Sequence, residues 1–201
     1  MEVNLDQYSF DEWITFLFDH PASKGEWQRA VSISWMGNPN KLIRYTIDLF
    51  ENADVVLRVY SREQIEQGFW WLLGPEGGLR TWIWDQNIPW QLRKECINSM
   101  AKIFENLFSG DPHGDICHMW WDLLRSFDDP VDERTESVIF NTLSRILQLD
   151  SNHCQLSALH GLGHLKHPEK KHVISDYLEK HPELDEKSKS YALAAIEGKV
   201  Q

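Results

Sequence analysis

Apolar residues in this chain recur at intervals of three and four, and its glycines and prolines gather at the breaks between those runs. A period near 3.6 lays side chains along one face of a helix, whereas a strand needs alternation, which is scarce here. The pattern predicts an all-α chain of short and medium helices. Ser9 and Glu12 have the spacing of a capping box for a helix through Phe18, stopped before Pro21. Asn38 precedes Pro39, which takes the first helical position of "PNKLIRYTIDLFEN". Ser61 with Gln64 opens "REQIEQGFWWLL", which "GPEGG" ends. Pro89 begins the longest helix, to about Phe108, with Trp90, Ile97, Ala101, Phe104 and Phe108 along one stripe. Further helices are expected near 115 to 126, 131 to 148, 151 to 165, 169 to 180 and 185 to 198.

A chain of 201 residues can bury a substantial core as a single helical domain, residues 1–201. All ten tryptophans lie at or before Trp121, so two subregions are expected: a Trp-rich helical part over 1–126 and leaner helix pairs over 131–198. The three cysteines, Cys96, Cys117 and Cys154, show no CxxC spacing and imply neither a disulfide framework nor a zinc ribbon. No run is apolar enough to span a bilayer, and "MEVNLDQYSF" lacks the basic start of a secretory signal, so a cytoplasmic protein with no membrane partner is expected. The formal charge of -11 opposes binding to a phosphate backbone, which removes nucleic acid from the expected partners. Acid is densest from Glu105 to Glu136, where nine carboxylates face only Arg125 and Arg134.

Setting "SALHGLGH" (157 to 164) over "YALAAIEG" (191 to 198) pairs Ala158 with Ala192, Leu159 with Leu193 and Leu162 with Ile196, all at an offset of 34. An amphipathic segment closed by a proline, "PEKKHVISDYLEKHP", lies between them. This helix, turn, helix rhythm over about residues 131 to 198 resembles HEAT-like repeats, which implies an irregular, α-solenoid-like stack and a partner-binding concave face. The segment "ALHGLGHL" also looks like the ending of some uncharacterised bacterial proteins, a resemblance that implies no activity.

Counting 100° per residue from Leu156 places Ala158, Leu159, Leu162 and Leu165 between about 180° and 300°, with His160, His164 and His167 between about 20° and 80°. The histidines thus face away from the main apolar stripe. His160 and His164, at i and i+4, can reach one Zn²⁺, but HGLGH lacks the glutamate of HExxH, and a third ligand would be His167, His153, Cys154 or a distant residue. In "DPHGDICHMWWD", Cys117 and His118 diverge on a helix and form no nucleophile and base by themselves. Adjacent tryptophans also diverge by 100°, so one of Trp120 and Trp121 is expected at a seam or an exposed groove. No P-loop, GxGxxG, GxSxG, HExxH or EF-hand loop is present. The leading expectation is therefore a non-enzymatic adaptor, scaffold or immunity-type inhibitor that needs no cofactor. It would bind a basic protein through Trp120, Trp121, Asp122, Asp128, Asp129 and Asp132, with His160 and His164 on the binding face. The alternative is a metal-dependent enzyme that uses His160 and His164.

Overall fold

A computed structural model describes residues 2–21, 34–75, 77–126 and 131–200. They form an all-α structure whose helices start where the caps stand. Helix α1 (Phe10–Phe18) opens on the Ser9 hydroxyl, which accepts from the Glu12 amide at 3.3 Å while the Glu12 carboxylate accepts from the Ser9 amide at 2.8 Å. Asn38 caps α2 (Pro39–Glu51), and the short α3 (Ala53–Val56) follows it. The Ser61 and Gln64 box opens α4 (Arg62–Leu73), and α5 (Leu79–Trp84) comes next. Helix α6 (Trp90–Ile103) continues into a π-helical turn, Phe104–Phe108, in which the Ser109 amide donates to the Phe104 carbonyl at 2.9 Å. The second half consists of α7 (Ile116–Leu124), α8 (Glu133–Ile146), α9 (Asn152–His164), α10 (Lys170–Lys180) and α11 (Glu186–Glu197).

The spacing gave no sign of a sheet, but Glu2–Asn4 (β1) and Ser34–Met36 (β2) pair in parallel, Val3 opposite Trp35. Three residues on each side are too few to show an alternating pattern.

Helix α6 lies between α2 and α8, and α9 packs on α7, α8 and α11. Where α1 meets α4 the backbones come close: a Cβ on Gly68 would stand 2.3 Å from the Phe18 ring, so glycine is required there. The Trp-rich part has an aromatic centre. The Trp120 ring stands 5.4 Å from Phe50, 5.5 Å from Phe69, 5.9 Å from Phe104 and 5.4 Å from Phe108. The tilted and edge-on arrangements are those the ring quadrupoles favour.

One polar cluster is buried at the join of α6 and α8. Arg93, 2% exposed, donates from Nη1 to the Ile83 carbonyl, the Thr135 hydroxyl and the Asp132 carboxylate, from Nε to the Ile88 carbonyl and from Nη2 to Gln86. Asp132 also caps α8, accepting from the Arg134 amide.

Candidate metal centre

The side chains that matter most come from three helices. Helix α7 carries Asp122, α9 carries His160 and His164 one turn apart, and α11 carries Tyr191. The Ser157 hydroxyl fastens α9 to α7 by donating to the Cys117 carbonyl at 2.6 Å. That contact sets the face bearing His160 and His164 against the face bearing Asp122.

His160 Nε2 lies 2.9 Å from Asp122 Oδ2, and His164 Nε2 lies 3.0 Å from Asp122 Oδ1. The two Nε2 atoms are 3.3 Å apart. Donors bonded to one ion at about 2.05 Å stand about 3.4 Å apart in tetrahedral geometry and about 2.9 Å apart as cis octahedral neighbours. The observed separations span that interval, and ligand atoms of all three residues lie within 4.8 Å of one another. Behind the donors, His160 Nδ1 meets the Tyr191 hydroxyl at 2.7 Å, the kind of partner that orients a ligating imidazole. The His118 ring stands 4.5 Å from that of His160.

The electrostatics favour neutral imidazoles around the carboxylate. Burial pushes His164 down, and the nearby His160, Arg125 and Lys170 add to this against the pull of Asp122. Burial also pushes His118 down. Tyr191 is raised to about 12 by burial and by Asp122, so its hydroxyl keeps its proton at neutral pH. One contact runs against metal ligation. Arg125 Nη1 is 3.2 Å from His164 Nδ1, and because a guanidinium only donates, Nδ1 must accept and Nε2 must carry the proton. An ion at Nε2 requires the other tautomer and moves this guanidinium off Nδ1.

Two openings flank the cluster. A cavity of 310 Å³ reaches His164 past Trp84, Trp121 and Leu143, and a groove of 910 Å³ reaches His118 and Tyr191 along α9, α10 and α11.

The residues singled out from sequence divide sharply. Asp122, His160 and His164 come together, and the third ligand is the distant residue rather than His153, Cys154 or His167, which stacks on Phe140 at 3.7 Å. The histidine face is not an open surface, however. His160 is 2% exposed, because α7 covers the side of α9 that turns away from its apolar stripe. Trp120 and Trp121 are 0% and 5% exposed, which corrects the expectation that one of them lies open: α7 is covered by α4 on one flank and α9 on the other, so diverging rings both find cover. Asp132 belongs to the Arg93 cluster. Asp128 and Asp129 lie outside the described residues. Sequence reasoning missed Tyr191 and Arg125, and no local motif marks either one. No known protein family, curated protein or solved structure matches the chain.

Proposed function

We propose that this protein binds one divalent transition-metal ion through Asp122, His160 and His164, as a metal-dependent enzyme would. The observation that carries the reading is the mutual spacing of the three donors, 2.9, 3.0 and 3.3 Å. Two histidines and a carboxylate suit zinc or ferrous iron, and three protein ligands leave coordination positions open, as in catalytic rather than structural sites. A bound ion would supply Lewis-acid chemistry or an activated water. The chain itself supplies the orientation of His160 through Tyr191 and a half-buried carboxylate that balances part of the charge.

The test uses protein purified without a histidine tag, dialysed against zinc and then freed of loose metal. Stoichiometric zinc by elemental analysis, a melting temperature lowered by chelator, and loss of both in His160→Ala with His164→Ala are expected. Wild-type protein that retains only traces of zinc, iron or manganese would overturn the reading.

A second reading, docking of a basic protein segment, is favoured by the groove along α9, α10 and α11, where Leu156 is exposed at the wall beside Glu183 and Asp185. A Lys-rich peptide should then bind in a salt-dependent way and more weakly to Glu183→Gln. The packing of α8 to α11 in successive pairs supports a HEAT-like arrangement of this half. In the offset match, Ala158 and Ala192 are both fully buried, while Leu193 is exposed where Leu159 is buried.

A further inference from the structure

The 310 Å³ cavity beside His164 is not used by any ligand of the metal except His164 itself, and its wall is chemically two-sided. Trp84, Trp121, Leu124, Ile139, Leu143 and Leu165 make most of it apolar. The polar part holds two cations, Arg125 and Lys166, against one carboxylate, Glu136, which already accepts from the Lys166 amide at 2.9 Å. A cationic excess is unusual in a chain of net charge -11, and it stands next to the metal site. The cavity has room for roughly ten groups the size of a water molecule. That admits a small molecule and excludes a folded segment.

We propose that this cavity binds a small monocarboxylate with an apolar body, its carboxylate held by Arg125 and its body lying against Trp84, Trp121 and Leu143. The inference rests on the metal reading in one respect. Without metal the Arg125 guanidinium is hydrogen-bonded to His164 Nδ1 at 3.2 Å. An ion at His164 Nε2 puts a proton on Nδ1, which cannot accept from a guanidinium, so Arg125 turns to another acceptor, and the carboxylate in the cavity is that acceptor. Metal and carboxylate therefore favour each other, and the coupling is reciprocal.

Calorimetric titration of zinc-loaded and zinc-free protein with 3-phenylpropionate tests this, with inorganic phosphate as an anion lacking the apolar body. Saturable binding to the loaded protein with Kd below about 1 mM is expected, weaker by several fold without zinc, and with no comparable affinity for phosphate. Arg125→Gln should weaken it about ten-fold or more, the effect of removing a charged hydrogen-bond partner, while leaving zinc stoichiometry intact. Leu165→Trp, at a half-buried position outside the helices, should block it by filling the cavity and should also leave zinc bound. Zinc bound without 3-phenylpropionate binding, phosphate binding as tightly, or an Arg125→Gln variant with unchanged affinity would each overturn the carboxylate proposal and leave the metal reading standing. Absence of stoichiometric metal would instead sink the metal reading and the coupling built on it.

Discussion

Asp132→Asn isolates the charge of one carboxylate from its other duties. Asparagine caps a helix as well as aspartate does, so the start of α8 is preserved, and one side-chain oxygen remains for the Thr135 hydroxyl, which donates to Asp132 at 2.6 Å, or for Gln86, which donates at 2.8 Å. What is lost is the anion 3.4 Å from the buried Arg93 guanidinium. Stranding one member of a buried ion pair costs about 3 to 5 kcal/mol. Arg93 retains four other acceptors and the Asp132 side chain is 20% exposed, so about 2 kcal/mol is expected. The proton equilibrium gives a similar figure. Partial burial pushes the Asp132 carboxyl up, but the hydrogen bonds from Thr135, Gln86, the Arg134 amide and Arg93 outweigh it and hold the carboxyl at about 2 against an ordinary 3.8. A depression of that size is worth at most about 2 kcal/mol, reduced by solvent screening. Because the folded value lies below the unfolded one, this stability is complete above about pH 4 and is lost as the pH falls towards 2. Urea denaturation followed by tryptophan fluorescence should place the variant about 2 kcal/mol below wild type at pH 7, and Asp132→Ala about 1 kcal/mol lower again through the lost cap. The gap between wild type and Asp132→Asn should begin to close below about pH 4. A loss under about 0.5 kcal/mol at pH 7, or a gap that is constant down to pH 3, would refute the account.

Two further perturbations separate packing from backbone preference and follow one buried histidine. A Cβ on Gly161 would stand 2.7 Å from Leu143 and 2.8 Å from the buried Trp121 ring, so Gly161→Ala should lose about 1 kcal/mol net: overpacking of about 2 kcal/mol outweighs a helix-propensity gain of about 1. Gly163→Ala meets Val200, which lies beyond the last helix and can give way, so its melting temperature should match wild type; equal losses at the two glycines would show that Trp121 does not resist. His113, at a φ of 49°, is pushed down by burial, with Arg62 adding to the effect while Asp111 and Glu66 pull the other way. Its folded value lies below the unfolded one, so stability is full above about pH 6.5 and declines below it; His113→Asn, which tolerates that backbone, should flatten the fall in denaturation midpoint between pH 7 and 5. An unchanged slope would mean that other groups carry it.

What could be read from sequence was whatever is decided within a turn or two of chain. The Ser9 and Ser61 boxes, the Asn38 and Pro39 start, and the ends of α7 to α11 follow from caps and breakers, and the structure places them within a few residues of expectation. The angular placement of His160 was also sound: it does point away from Leu159 and Leu162. Its burial was not legible, because the cover comes from α7, 38 residues earlier, and one helix's period says nothing about what packs on its second face. The same blindness misjudged Trp120 and Trp121 and hid Asp122 as the partner of His160 and His164. Tyr191 occupies the place of Ser157 in the offset match, a position where nothing local signals a hydroxyl aimed at an imidazole.

The π-helical turn at Phe104–Phe108 has a consequence for how this chain tolerates changes in length. Closing a loop over five residues rather than four leaves one residue beyond the α-helical count, and Phe108 keeps its place against Trp120 with that extra residue present. Deleting any one residue of the turn would restore the regular ladder and rotate everything after it by about 100°. Phe108 would leave the aromatic centre, and its carbonyl would turn away from His153 and the Phe104 carbonyl from the Ser109 hydroxyl. Alignment gaps between related chains should therefore avoid residues 104 to 108 and collect beyond Gly110, even though the turn sits at the end of a helix, where insertions and deletions are ordinarily cheap.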